Sequence, residues 1–312
     1  MVRIRASRDD DTPAIVELIN HVDPPEERIT LEEFSFNESL RKPEEAFSRL
    51  LATRQDRLVA VSTCGNSTLL PMNRFRLTIR VHPDQRRGGI GTALEARQRL
   101  FAQEHGGSEL VASAWEGDDA SRVFLERLGY GEAYRRFESE LDLAAFDWTP
   151  FGAWRERLAE GGLRLITFAE AGDSEANRRR LFDLTERVSE DIPYPDGRPR
   201  FTLEDMVKYF HAPGFSAEGL FIAVDGERWV GFTGVFLPEG RPAYTFLTGV
   251  ERDYRGRGVG KALKLASVAY VQDRGIAAMR TTNDTVNTAI LTLNDRLGYR
   301  RLPARVTFKR SI

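Results

Sequence analysis

One pattern occurs twice in this chain, and the repeat constrains the fold before composition is considered. Val81-His82-Pro83-Asp84-Gln85-Arg86-Arg87-Gly88-Gly89-Ile90-Gly91-Thr92-Ala93-Leu94 has a counterpart in Val250-Glu251-Arg252-Asp253-Tyr254-Arg255-Gly256-Arg257-Gly258-Val259-Gly260-Lys261-Ala262-Leu263. Each is followed by the same turn, Leu128-Gly129-Tyr130 and Leu297-Gly298-Tyr299. Arg86 to Gly129 and Arg255 to Gly298 both span 43 positions, and the copies are offset by 169 at both motifs. Two basic glycine loops, each with the same partner at the same distance, imply two copies of one supersecondary unit. The length of 312 residues fits two domains.

Hydrophobic periodicity gives each copy the same order of elements. In the first, Val2 to Ala6 alternates as a strand and Asp9 to Val22 is helical, with acids at its start. Leu58 to Cys64 and Arg74 to Val81 are strands, Gly89 to Glu104 is a helix and Leu110 to Trp115 is a strand. Ala120 to Leu128 is a helix stopped by Gly129, and Glu132 to Leu143 returns as a strand pair or hairpin. In the second, Leu163 to Glu170 reads as a strand and Glu175 to Ser189 as a helix. Strands Gly219 to Val224 and Trp229 to Phe236 flank the turn Asp225-Gly226. Then come strand Tyr244 to Val250, helix Gly258 to Asp273, strand Ala277 to Thr281, helix Thr288 to Leu297 and a closing run, Tyr299 to Lys309. The fold class is therefore α/β with mixed sheets. Expected boundaries are 1–146 for the first domain, 147–162 for a linker and 163–312 for the second. Trp148, Phe151 and Trp154 make that linker a packed connector.

A strand that ends in a glycine-rich turn before a helix is suited to an anion. Glycine lets backbone N–H groups approach, the helix N-terminus adds partial positive charge, and arginine adds donors. The P-loop is excluded, because Arg255 stands where its first glycine belongs and Ala262 where its Ser or Thr belongs. The dinucleotide fingerprint fails on the spacing of Gly256, Gly258 and Gly260.

Both loops resemble the Arg/Gln-x-x-Gly-x-Gly/Ala signature of the GCN5-related N-acetyltransferase (GNAT) superfamily: Arg86, Gly89, Gly91 and Arg255, Gly258, Gly260. The resemblance recurs once per half and covers nearly the whole chain. It implies two tandem GNAT domains, each a splayed mixed sheet flanked by helices, and an acetyl-CoA-dependent N-acetyltransferase that passes acetyl directly to a primary amine. On this resemblance Arg86, Arg87, Gly88, Gly89, Ile90, Gly91 and Thr92 hold one pyrophosphate of acetyl-CoA. Arg255, Gly256, Arg257, Gly258, Val259, Gly260 and Lys261 hold a second. The strand ends Ile79 to Val81 and Thr248-Gly249-Val250 face the pantetheine and the thioester carbonyl. Tandem members of the superfamily include mycothiol synthases, and no residue here singles out that branch.

The chain departs from the family at the usual tyrosine acid, four residues before the Leu-Gly-aromatic glycine. Those positions hold Leu125 and Asn294. The central strands, Phe75 to Val81 and Tyr244 to Val250, contain no carboxylate. The candidate catalytic groups are therefore Asn294, Glu251 just past the second strand, and the phenol of Tyr244. Glu251 is otherwise a solvated turn residue, and Tyr254 packs against its loop. Asn283 and Asn287 stand where they reach the pantetheine amides or cap the last helix. The acids of the stretch Glu186 to Asp196 offer a cationic amine a surface, or are simply solvated. These residues make the second domain the main catalyst. The alternative is an acetyl-CoA-binding sensor or interaction module with little turnover.

Composition narrows the partners. A net charge of −2 argues against bulk-charge binding of nucleic acid. No apolar run approaches the roughly 20 residues that span a bilayer. Cys64 is the only cysteine and the four histidines are scattered, so neither disulfide nor metal is expected. A cytoplasmic location and a small-molecule or protein amine as acceptor complete the expectations.

Overall fold

The computed structural model describes residues 2–192, 194, 197–284 and 287–312. The chain begins with β1 (Arg3–Ala6), α1 (Thr12–Val22), α2 (Leu31–Ser39), β2 (Phe47–Arg54), β3 (Arg57–Gly65) and β4 (Arg74–Val81). It continues with α3 (Ile90–Glu104), β5 (Glu109–Trp115), α4 (Asp119–Arg127) and β6 (Gly131–Asp142). Next come α5 (Trp154–Glu160), β7 (Leu163–Thr167), the single turn α6 (Phe168–Ala171), α7 (Glu175–Ser189) and α8 (Leu203–Tyr209). The remainder is β8 (Phe215–Asp225), β9 (Arg228–Phe236), β10 (Ala243–Val250), α9 (Val259–Gln272), β11 (Ala278–Asp284), α10 (Thr288–Leu297) and β12 (Arg300–Ser311).

Local chemistry accounts for the ends of these elements. Helix α1 buries Ile15, Val16, Leu18 and Ile19, the three- and four-residue spacing of one helical face. A reciprocal capping box, Thr30 with Glu33, starts α2, and Thr202 with Asp205 starts α8. Thr167 caps α6 the same way with Glu170, which ends β7 at Thr167 rather than at the expected Glu170. Sequence periodicity missed α2, β2 and α8; the first and last are short helices announced by their caps.

Two compact units result, and they are not consecutive in sequence. The first comprises Met1–Arg135, Pro195–Arg200 and Pro303–Ile312; the second comprises Arg136–Tyr194 and Phe201–Leu302. The first unit's strands run in the order β1-β2-β3-β4-β5-β12, the second unit's in the order β7-β8-β9-β10-β11-β6. Within each the pairs are antiparallel except the central ones, β4 with β5 and β10 with β11, which are parallel. Each sheet is thus completed by a strand from the other half of the chain. In the first unit, Arg305 to Ser311 of β12 pair with Trp115 to Glu109 of β5. In the second, Arg136 to Asp142 of β6 pair with Asp284 to Ala278 of β11. Glu132 to Leu143 is therefore one long strand, not a hairpin. The divisions at 146 and 163 cut the chain where the units do not.

Both exchanged strands carry core residues. Val306 and Phe308 of β12 are buried with Phe75, Leu77 and Leu110 of the first unit. Burying such side chains contributes about 1.5–3 kcal/mol each. Residues 147–162 form no loose tether: Phe151, Trp154 and Leu158 are buried in the second unit's core with Leu141, Leu163 and Leu265.

Candidate active site

The defining feature of the second unit is a gap between its two parallel strands. β10 and β11 pair only from Ala243–Met279 to Thr245–Thr281, after which they diverge. On its other side β10 stays paired with β9 as far as Val250, with a bulge between Thr245 and Leu247. Among the described residues, backbone groups of β10 beyond Thr245 lack a ladder partner on the β11 side. The strand feeds a turn, Arg252–Tyr254, and then Gly256 and Gly258, both left-handed at φ 74° and 83°. Gly258 is the N-cap of α9 and offers no side-chain cap. The first-turn N–H groups are therefore unclaimed, with no acid in that turn to compete for them. Arg255 Nε donates to Val250 O at 3.0 Å, folding its guanidinium over the strand end.

The first unit repeats this geometry. β4 and β5 pair from Arg74–Glu109 to Arg76–Val111 only. Arg86 Nε donates to Val81 O at 3.1 Å, and left-handed Gly89, φ 77°, opens α3. Two backbone details differ. β4 pairs with β3 without a bulge. Arg87 takes φ 68° where the second copy has Gly256, a conformation that costs an L-residue about 1–2 kcal/mol.

Side chains differ more. In the second unit, Asn294 Nδ2 donates to Asn283 Oδ1 at 2.9 Å, and Asn283 Nδ2 donates to Ser139 Oγ at 3.1 Å and toward Thr281 O at 3.4 Å. The Thr281 carbonyl fixes the direction of this chain. Asn283 must turn its nitrogen to that oxygen, so its own oxygen faces Asn294. Asn294 Oδ1 is then left buried and, among the described residues, without a hydrogen-bond partner. Asn294 thus presents an acceptor at this end of the chain. The first unit has Ala114, Leu125 and Phe308 at the matching positions, all buried and apolar. Ser139 escaped sequence reasoning because it lies 144 residues before its partner Asn283.

The remaining candidates are placed as follows. Asn287 caps α10 through Oδ1 to Ile290 N at 3.4 Å, as Asp118 caps α4. Residues 285 and 286 of that stretch lie outside the described residues. The Tyr244 hydroxyl is 2.6 Å from Thr282 Oγ1 at the closed end of the gap, and burial raises its pKa. Glu251 is neither free nor solvated. It is 6% exposed, with Oε1 2.6 Å from Arg187 Nε and Oε2 2.7 Å from Arg228 Nη2, tying α7 to the start of β9. Tyr254 packs as expected, its ring 5.0 Å from the Arg257 guanidinium, and its hydroxyl donates to Asp225 at 2.8 Å. The acidic stretch is partly spent internally: Asp191 bridges Arg252 and Arg255. Residues 193, 195 and 196 of that stretch lie outside the described residues.

One buried group was missed altogether. Lys264 sits in the apolar run Ala262-Leu263-Lys264-Leu265-Ala266 of α9, fully buried, its Nζ without a hydrogen-bond partner among the described residues and 5.1 Å from the Tyr299 ring centroid. Burial lowers its pKa to about 7. The matching residue of the first unit is Glu95, also buried, but bound by Arg310 at 2.9 Å and the Tyr130 hydroxyl at 3.3 Å.

A splayed strand pair leading into an uncapped, arginine-bearing helix N-terminus defines an acyl-CoA-dependent transferase of the GNAT fold. The profile described as "Acetyltransferase (GNAT) family" matches residues 181–299. The chain is 32% identical over 242 residues to the mycothiol acetyltransferase of Salinispora arenicola, covering 74% of this chain and 71% of that one. It is 30% identical over 243 residues to that of Geodermatophilus obscurus, covering 74% and 72%. Among solved structures it resembles a tandem GNAT protein from the clavulanic acid biosynthesis pathway, with a TM-score of 0.78 at 20% identity over 100% and 98% of the two chains. A GCN5-related N-acetyltransferase from Sphaerobacter thermophilus aligns with a TM-score of 0.71 at 20% identity over 99% and 95%. The chain belongs to the GNAT acetyltransferase family and is an acetyl-CoA-dependent N-acetyltransferase. A sensor without turnover is not favoured. Among the described residues, no helix is long and apolar enough to cross a membrane, and no three His, Cys, Asp or Glu side chains come together to hold a metal.

Proposed function

We propose that the second unit carries the main turnover and that both units bind acetyl-CoA. The pyrophosphate would lie on the N–H groups of residues 258–261 with Arg255 and Arg257, and the pantetheine along Thr248-Gly249-Val250. The matching first-unit set is Arg86, Arg87, Gly88, Gly89, Ile90, Gly91 and Thr92, with Ile79 to Val81. The observation that carries the assignment is the polar chain Ser139–Asn283–Asn294, which the first unit replaces with Phe308, Ala114 and Leu125.

Acetyl transfer needs an amine stripped of its proton, a polarised thioester and a protonated leaving sulfur. The bulge between Thr245 and Leu247 frees backbone groups of β10 toward the gap, which supports carbonyl polarisation by N–H donors. Asn294 has no proton to give. Its Oδ1 can accept a hydrogen bond from a water that relays to the leaving sulfur the proton given up by the attacking amine, so that amine and thioester become amide and free thiol with the Asn294 amide only anchoring the relay. The acceptor is a small primary amine, and the first to test is a mycothiol-like amine, given what the relatives are named for.

Turnover of an amine panel, followed by release of free thiol from acetyl-CoA, tests this reading. Gly258→Trp should abolish release and Gly89→Trp should spare it. The reverse pattern places the chemistry in the first unit.

A further inference from the structure

The donor loop of the second unit already holds an anion, and the chain itself supplies it. Arg255, the first residue of the loop signature, lies with Nη1 2.8 Å from Asp191 Oδ2. Arg252, in the turn just before it, holds Asp191 Oδ1. Asp191 stands two residues past the end of α7. Arg252 and then Arg255 keep its carboxyl below the usual range, so it is ionised at neutral pH. One carboxylate therefore spans two guanidinium groups of the turn that leads to the uncapped N-terminus of α9.

A pyrophosphate is the stronger ligand for such a turn. It carries more charge and more acceptor oxygens, and it can take the α9 N–H groups and the guanidinium groups together. The first unit shows the loop without this contact. Arg86 folds onto Val81 O just as Arg255 folds onto Val250 O. Among the described residues neither Arg86 nor Arg87 has a carboxylate partner. The clamp is thus no requirement of the loop conformation.

We infer that Asp191 is an internal counter-ion of the donor loop, displaced by the pyrophosphate of acetyl-CoA, so that filling the donor site frees Asp191 and loosens the turn that closes α7. This rests on the loop being the acetyl-CoA site. Asp191 is then a positioning residue: it holds Arg252 and Arg255 in the empty site and makes that site weaker for its donor.

The test uses the full chain carrying Gly89→Trp, so that calorimetry with acetyl-CoA reads the second site alone. Asp191→Asn, with Asp191→Ala as a second variant, should tighten acetyl-CoA binding roughly three- to tenfold, the scale of partly exposed ion pairs. Added salt should shrink that gain. In the parent, acetyl-CoA should speed hydrogen exchange at the Ile192 amide, which now donates to Ser189 O. In Asp191→Asn that amide should exchange fast with or without donor. A purely structural aspartate would give weaker binding on removal and no donor-dependent exchange, and either result overturns the inference. Adding Gly258→Trp separates the two layers. If acetyl-CoA still binds undiminished, the loop reading itself fails; if binding is lost while Asp191→Asn shows no gain, only the counter-ion role fails.

Discussion

The two units share a backbone and differ in what fills it. Their donor loops repeat the same bonds to the backbone, from the arginine folded on the strand end to the left-handed glycine that opens the helix. Their interiors do not: one has Ala114, Leu125 and Phe308 where the other has Asn283, Asn294 and Ser139. A buried amide chain must satisfy every donor and acceptor or lose stability, whereas an apolar trio need only pack. Keeping an unsatisfied acceptor on Asn294 is therefore a local cost, of the kind that accompanies a ligand site. The comparison teaches that the cofactor loop and the catalytic interior of this fold vary separately.

The strongest way to break the comparison is to block one loop at a time. Gly258→Trp, at φ 83°, should reduce turnover at least a hundredfold, while Gly89→Trp should change it less than twofold; free-thiol release reads both. Equal losses would mean the units act together.

The buried ionisable pair should respond with opposite signs. Lys264→Met removes an unpartnered amine from the second core and should raise stability at pH 7 by on the order of a few kcal/mol. Glu95→Met leaves the partly exposed Arg310 without the buried carboxylate that holds it and should lower stability, by less than a fully buried pair would. The pH dependence follows from the direction of the shift. The folded pKa of Lys264 is lowered from 10.5 to about 7, so the unfolded chain binds the extra proton between those values. Stability should then rise as pH climbs from about 7 toward about 10.5, and this rise should vanish in Lys264→Met. Denaturant titrations across that range check it; a flat profile in the parent would mean the amine finds a partner.

Importing the first unit's side chain sharpens the contrast. Asn294→Leu should lower kcat about tenfold with little change in the KM for acetyl-CoA, less than loss of a general acid, which costs about a hundredfold or more. Asn294→Tyr should retain or raise kcat. A hundredfold fall in Asn294→Leu would show that the amide does more than anchor water.

The smallest effect concerns Arg87 and Gly256, which share one left-handed turn position. Arg87→Gly should stabilise the first unit by about 1 kcal/mol and Gly256→Arg should destabilise the second by about the same. Paired melting curves suffice to see it.

Much of this molecule was legible from one dimension. The repeated Arg-x-x-Gly-x-Gly loops predicted the fold, and the structure makes Gly89 and Gly258 the left-handed N-caps of their helices, a geometry that admits few residues. Helices α3, α7, α9 and α10 followed from periodicity. What stayed hidden depends on partners distant in sequence. Nothing around Glu251 announces Arg187, 64 positions earlier, so a buried ion-pair centre read as a catalytic or solvated residue. The alternation of β6 and β12 says that each is a strand with one covered face, not which sheet covers it. Lys264 was visible as a lysine inside an apolar run, a signal that points to burial whenever the rest of the helix is core.

The exchange of β6 and β12 has a consequence for how the protein is made. The second unit holds all its strands once Leu302 has been synthesised, whereas the first still waits for Pro303–Ile312. Residues up to Arg135 therefore leave the ribosome with the β5 edge, Glu109 to Trp115, uncovered. At about 5–20 residues per second, that edge stays open for roughly ten to thirty seconds, and an open edge invites pairing with other chains. The half made first is completed last. Neither half is a self-sufficient piece: a fragment starting at Leu163 lacks β6, and one ending before Pro303 lacks β12. Nascent chains stalled after Arg135 should accordingly be protease-sensitive in the first unit, and adding the last ten residues should protect it.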